Sequence, residues 1–484
     1  MCADCYPNYK GTQNTPNHQT IPYILCFFSI SYGSNNFVVS YKFTIFVKNF
    51  WLMLLNTLII VAILLTSYLL MSTDRLNHIN RAALAMFTGV VAWVVLLIGG
   101  ENIHNTQLNH YIQRAVEVIL FLIATNAIVE IMHNNGVFDS LKSFLRTSNS
   151  KVLLWYLSII TFAISANVDN LTTVVLMMSM MTRIVRSHSQ RVIYGCVILI
   201  SANLGGSFTV IGDMTNLMMW GHGVITPTEF AAGLILPVLA SLVVFNLLIG
   251  KFIVGRVEVA STIGVVNDDV YLPGWQKILM LVIGLASIWF VPSFSRFTGL
   301  PPFIGALTAL ALILMMDGAY NFRRNGNQLF VNRKYMTSNE YVSTKIALYF
   351  LGSTLGVGAL VECGSLDFIG QWLNHNVHNV YIYGGVIGLL ASVIDNIPFV
   401  LAGIHLFPSG AYAVSGDFAV DGAYWQLLSF CSALGASLLY LGSLAGHSVA
   451  ETVDMNLRWY FRHVFWRVMM AWCVGMIVFY VTHL

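Results

Sequence analysis

Apolar residues in this chain come in blocks of roughly 17 to 25, separated by short polar segments. Wound as a helix at about 1.5 Å per residue, such a block matches the ~30 Å hydrocarbon core of a bilayer. Hydrocarbon leaves backbone N–H and C=O groups no partner but each other, so these blocks predict a bundle of spanning helices. Only 9% of the 484 residues are charged, against roughly 25% in soluble domains. The chain reads as all-α and polytopic, with the lipid bilayer as its surroundings.

The candidate spans are about 51–72, 82–99, 112–132, 192–220, 229–250, 275–292, 299–316, 346–362, 424–444 and 463–482. Two further apolar stretches, about 152–182 and 380–407, carry an Asp-Asn pair near the centre, in "ISANVDNLTT" and "LASVIDNIPF". As one straight helix, 152–182 would measure about 46 Å, too long for the core. Arg146 and Lys151 precede it, and Arg183, Arg186 and Arg191 follow it. Basic residues mark cytoplasmic loops, so both ends fall on one side and the stretch reads as a re-entrant hairpin. A non-helical tip at mid-membrane is tolerated only where protein or a water-filled cavity surrounds it. The flanks of 380–407 contain no Lys or Arg, which predicts a second hairpin entered from the opposite side. The positive clusters around Arg75 and Arg81, Lys251 and Arg256, Arg323 to Lys334, and Arg458 to Arg467 then share one side.

The halves resemble each other. "VEIMHNNGVFDSLKSFL" (129–145) parallels "VECGSLDFIGQWL" (361–373), and each hairpin is followed by a small-residue break, "SANLGGSFTVIGD" or "SALGASLLYLGSLAG". The reading is two inverted repeats, each with five transmembrane helices and one re-entrant hairpin. The first repeat covers 49–256 and the second 275–484, with 257–274 as a cytoplasmic linker and 1–48 as a weakly ordered extension without assigned function.

Carboxylates inside a membrane are functional by default. The candidates are Glu117, Glu130, Asp169, Asp213, Glu362 and Asp395. Asp169, Asp213 and Asp395 sit at predicted helix breaks, where backbone carbonyls become oxygen ligands and an N-terminal helix end favours negative charge. Asn170, Asn396, Thr172, Thr173, Ser207, Thr209, Thr215, Asn216, Ser437 and Ser443 add small oxygen donors, a setting suited to a hard cation. The competing reading is that the Asn, Ser and Thr groups only cap broken helices. Glu130 and Glu362, at matching repeat positions, fit interfacial anchoring as well as ion work, and Glu117 fits either. His222 and His447 read as solvated or helix-end groups, with pH sensing as the alternative, and His405 as hydrogen-bonded packing. The Met run at 176–181 reads as core or lipid-facing filler.

Several classes are excluded or left without a signal. The seven cysteines form no disulfide framework, and "CADC" lacks the second ligand pair of a metal clasp. The glycines of "NLGGS" follow no strand, which argues against a phosphate loop, and no HExxH or nucleophile elbow occurs. No enzyme, resident cofactor or nucleic-acid partner is expected.

"LNHINRAALAMFTGVVAW", "NVDNLTTVVLM", "SANLGGSFTVIGDMTNLMMW", "FTGLPPFIGAL", "FLGSTLGVGALVECG" and "VIDNIPFVLAG", in that order, resemble NhaD-type sodium/proton antiporters of the ion transporter superfamily. The resemblance extends from about residue 55 to the C-terminus. It implies a scaffold part and a mobile transport part, Na⁺ (or Li⁺) exchanged for H⁺ at a cell (inner) membrane, and a homodimer through the scaffold. Carried over motif by motif, it implies ion-site roles for Asp169, Asn170, Asn203, Asp213, Thr215, Asp395 and Asn396, with Na⁺ at Asp169, Asp395 and Asp213. The chain departs from the family at Asn216, usually Thr, and at "YVSTK", which lacks the family's acidic residue.

The expected mechanism is competition. Asp169 and Asp395, meeting in one mid-membrane pocket, bind either a proton or Na⁺, and access alternates between faces. Partial burial favours the neutral carboxyl and suits such an exchange. The alternative is an anion carrier of the same superfamily, for arsenite or di- and tricarboxylates, although acidic tips repel such cargo. An intramembrane enzyme or an open channel fits poorly.

Overall fold

The computed structural model describes residues 55–71, 80–98, 105–138, 145, 147–253, 255–257, 274–325, 339–377, 379–407 and 416–483. The expected extension 1–48 and nearly all of the linker 257–274 lie outside the described residues. Within Leu55–Leu484, one packed unit, the described residues form helices and no strand beyond an isolated Asn149–Arg256 bridge. Six helices among them are long and apolar enough to cross a membrane.

In chain order, α1 is Leu55–Met71, α2 Arg81–Ile98, α3 Asn105–Asn134, α4 Ser150–Ser165, α5 Asn170–Ile184, α6 His188–Ser207, α7 Met214–Gly221 and α8 Pro227–Ile249. Then follow α9 Gly274–Thr298, α10 Pro302–Asn325, α11 Asn339–Glu362, α12 Ser365–Asn376, α13 Val380–Ala391, α14 Asn396–Leu406, α15 Ala423–Leu438, α16 Leu444–Thr452 and α17 Leu457–Thr482. The stretch 152–182 is therefore two helices, α4 and α5, and 380–407 is α13 and α14. Each pair is followed by a helix that breaks into two, α6–α7 or α15–α16, and then by one long helix, α8 or α17.

Polar contacts place the ends of these elements. At one end, Tyr194 of α6 donates to the Ser150 carbonyl at 3.0 Å, and Ser150 Oγ donates to the Gly255 carbonyl at 2.6 Å. Phe252, just after α8, packs on His463 at the start of α17 with ring centroids 5.7 Å apart. At the other end, Thr226, just before α8, donates through N and Oγ1 to Asp421 at 2.6 Å each. His483, past α17, lies 3.0 Å from Gln426 of α15. The rings of Tyr383 and Phe407, on either side of the α13–α14 pair, are 5.5 Å apart at this same end. Thus α8 and α17 run antiparallel from end to end, α4–α5 opens at one end, and α13–α14 opens at the other. Lys151, Arg183, Arg186, Arg191, Lys251, Arg256, Arg458 and Arg462 flank the first end, while 379–383 and 416–426 at the second contain no Lys or Arg.

Close approach explains how short helices stack here. A Cβ at Gly435 of α15 would collide with the Gly388 backbone of α13, and one at Gly206 of α6 would collide with the Asn170 side chain. Small residues let backbones touch where no hydrophobic force drives helices together in lipid. Packing falls into two groups. One consists of α2, α3, α9, α10 and α11; the other of α4 to α8 with α13 to α17. Helices α7 and α14 meet the first group at α3 and α11.

Candidate functional site

Four half-helices begin near the middle of the second group, and each is capped by its own polar side chain. Asp169 accepts from the Leu171 and Thr172 amides at 3.1 and 3.3 Å, heading α5. Asp213 accepts from the Thr215 amide at 2.9 Å, heading α7. Asp395 accepts from the Ile397 amide at 3.3 Å, heading α14. Ser443 accepts from the Gly446 amide at 3.0 Å, heading α16. Each cap satisfies an orphan N–H for about 1 kcal/mol, and a carboxylate also meets the positive end of the helix dipole. Asn or Ser would serve as caps without burying a charge.

The four starts enclose one small cavity, lined by Asp169, Asn170, Asp213, Asn396 and Ser443, with Asn203 from α6. Asp169 is 4% exposed and Asp213 6%. No Lys or Arg lines the cavity, and among the described residues neither carboxylate has an ion-pair partner. Asn170 links the elements: its Nδ2 donates to Asp213 at 2.7 Å and its Oδ1 accepts from Ser165 of α4 at 2.8 Å. Asn203 Nδ2 donates to Ser437 of α15 at 2.8 Å, joining the two broken helices across the site.

Five of the seven main candidates, Asp169, Asn170, Asn203, Asp213 and Asn396, therefore share the cavity. Thr215 supports it by donating its hydroxyl to Asp213 at 2.9 Å. The Asp395 carboxylate does not line it. That group is 1% exposed and accepts from the Tyr349 hydroxyl of α11 at 2.7 Å. The carboxylate that lines the cavity beside Asp169 is Asp213, to which Asn170 ties it.

Among the secondary candidates, Asn216 is a strut. Its Nδ2 donates to the carbonyls of Gly206, Ser207 and Thr209 at 2.9, 3.2 and 2.9 Å, and its Oδ1 accepts from Ser429 at 2.6 Å. The carbonyls freed by the α6 break are tied off, so the capping alternative holds there. Ser207 Oγ donates to the Leu204 carbonyl, and Thr209 Oγ1 to the Ala166 carbonyl. Thr172 donates to Asn126 of α3 at 2.6 Å, and Thr173 to the Val168 carbonyl at 3.4 Å. Glu362 accepts from Gln107 and Tyr111 at 2.6 and 3.0 Å, Glu117 lies 3.6 Å from Arg114, and Glu130 is half-buried on α3; none lines the cavity. His447 is buried, not solvated, and bonds Arg81 and the Ser443 carbonyl. Among the described residues His405 packs by ring contact against Tyr111 and His222.

Asn126 and Tyr349 were invisible to the sequence reading. Each is one polar residue among several on a long helix, and only contact with a distant tip gives it significance.

A buried polar cavity among broken helices in an apolar bundle defines a multi-pass membrane transporter. A family model described as "Citrate transporter" matches residues 68–435. Sodium/proton antiporter 1 of Arabidopsis thaliana is 31% identical over 406 residues, covering 84% of this chain and 69% of the relative. Sodium/proton antiporter 2 of the same plant is 29% identical over 422 residues, covering 86% and 97%. The Na(+)/H(+) antiporter NhaD of Vibrio cholerae is 26% identical over 454 residues, covering 88% and 90%. The chain belongs to the NhaD-type antiporters of the ion transporter superfamily. It is a transporter and not an enzyme.

Proposed function

We propose that the protein exchanges Na⁺ (or Li⁺) for H⁺ across a cell membrane by alternating access, at the cavity where Asp169 and Asp213 meet. The observation that carries this reading is two buried carboxylates lining one polar cavity that has no Lys or Arg in its lining. A buried charge is tolerated only when compensated. Protons or a hard cation are the species that compensate it, and the two exclude each other at the same oxygens. Asn170, Asn203, Asn396 and Ser443 supply neutral oxygens, the ligand type such a cation prefers. Asp395 serves as a second proton- or ion-coupled group at the other tip.

In this reading α4–α5 and α13–α14 are re-entrant hairpins of two inverted repeats. The opposite openings of the two pairs and the repeated order of elements support it. The second helix group moves against the first, which also carries a homodimer contact. The basic end faces the cytoplasm. Counterflow of ²²Na⁺ against an imposed pH gradient in proteoliposomes tests the exchange. Asp169→Asn keeps the cap and removes the charge, so exchange at the wild-type rate in that variant would refute the site.

A second reading, a di- or tricarboxylate carrier, is favoured by the description of the family model. It predicts that citrate raises the thermal stability of the purified protein and Na⁺ does not. The acidic cavity and the named activity of the relatives favour the cation.

A further inference from the structure

Each tip is tied to a long helix of the other group by one side-chain hydrogen bond. Thr172 Oγ1 donates to Asn126 Oδ1 of α3 at 2.6 Å, and Tyr349 Oη of α11 donates to Asp395 Oδ2 at 2.7 Å. The partners stand 46 residues apart in both cases. The chemistry of the two ties differs. The first joins two neutral groups. The second ends on a carboxylate, and its strength follows that group's charge. The Asp395 carboxylate is not among the residues lining the cavity, and its side-chain partner is the Tyr349 hydroxyl.

We propose that Tyr349 is a positioning residue that latches the second tip to α11 while Asp395 is unloaded and releases it when Asp395 takes up a proton or a cation. The inference rests on the sodium/proton reading above. A hydroxyl bond to an ionised carboxylate is charge-assisted and stronger than one to a neutral carboxyl. A proton on Asp395, or a cation shared with it, removes the charge that strengthens the bond. An exchanger has to forbid the return of its empty carrier, because that movement lets Na⁺ run down its gradient with no proton in exchange. A tie that is strongest in the empty state supplies this prohibition, and the loaded states are the ones free to move.

The charged and titratable groups acting on Asp395 are Tyr349, Tyr68 of α1 and Arg81 of α2, which is bonded to His447 of α16. Among the described residues, α7, α12, α13 and α15, which also pack on α14, bring no such group to it.

The test measures ²²Na⁺ efflux from loaded proteoliposomes into alkaline medium, with and without external Na⁺. In the wild type, removing external Na⁺ should slow efflux by about tenfold or more, since the empty carrier stays latched. In Tyr349→Phe the slowing should shrink to about threefold or less, while Na⁺/Na⁺ exchange in the same vesicles continues and shows that the variant is folded. Asn126→Ala, which cuts the neutral tie, should change both efflux modes by one common factor. A Tyr349→Phe protein with the wild-type ratio overturns the latch. A wild type that fails to exchange Na⁺ for H⁺ overturns the underlying reading instead. A measurement on the wild type stands apart from any folding defect: hydrogen exchange at amides 392–397, corrected for intrinsic pH effects. These amides should exchange about threefold more slowly in the empty alkaline protein than in acid, and equal or faster exchange there contradicts the latch.

Discussion

At Asp169 one carboxylate oxygen, Oδ2, caps a half-helix, and the same group lines a cavity it shares with Asp213. Replacing the charge while keeping the cap separates the two roles. Asp169→Asn and Asp213→Asn should each retain the fold and cut Na⁺/H⁺ exchange by on the order of a hundredfold or more, read as Na⁺-dependent pH changes inside proteoliposomes. Competition also sets the sign of the pH effect. A proton neutralises the carboxylate that Na⁺ needs, so the half-saturating Na⁺ concentration rises as pH falls. For one competing proton the rise approaches on the order of tenfold per unit in the acid range; a half-saturation independent of pH would rule out a shared site. The sequence reading found Asp169, Asn170, Asp213 and Asn396 because a charge or an amide inside an apolar run is conspicuous. It did not reveal the partner of the Asp395 side chain, because a side chain's direction at a helix start depends on what packs beside it. Here that is Tyr349, 46 residues away.

Short helices are marginal alone, and α7, α14 and α16 are each started by a side-chain cap and held by packing against neighbouring helices. Asn216 is the strut of the α6–α7 break, holding three carbonyls with one amide. Asn216→Ala strands those carbonyls and should cost about 1–3 kcal/mol, seen as a lower midpoint in thermal unfolding of the detergent-purified protein. Gly435→Val forces α15 off α13, and overpacking of this kind costs about 1–3 kcal/mol. It should lower the same midpoint, whereas a change at Gly385, which has open space around it, should leave it unmoved. The breaks were legible as interruptions of apolar runs by Asp, Asn and small residues. Which freed carbonyls remain open to an ion was not legible, because that depends on whether a strut such as Asn216 reaches them.

Across the whole molecule, the two helix–turn–helix pairs open at opposite ends, and charge divides the same way. Basic residues collect where α4, α6, α8 and α17 meet, and the Thr226–Asp421 end has none in its 379–383 and 416–426 segments. Topology follows from this asymmetry. Ser189→Cys should resist an impermeant thiol reagent added to intact cells, and Val420→Cys should react with it. The opposite pattern would invert the orientation. Both positions are exposed, so accessibility decides the outcome rather than burial.

The sequence by itself determined the class: long apolar blocks leave a chain no soluble fold, and lone carboxylates within them mark where cargo is handled. Both follow from local composition, since hydrocarbon length and the cost of a buried charge act on a few consecutive residues. Partnership was decided only by the tertiary structure. That Asp169 faces Asp213, that Asn203 reaches Ser437, and that Tyr349 holds Asp395 all depend on how half-helices from distant parts of the chain are brought start to start. Hydrogen bonds a few ångströms long form between residues 43 to 234 positions apart, a separation that periodicity and spacing do not encode.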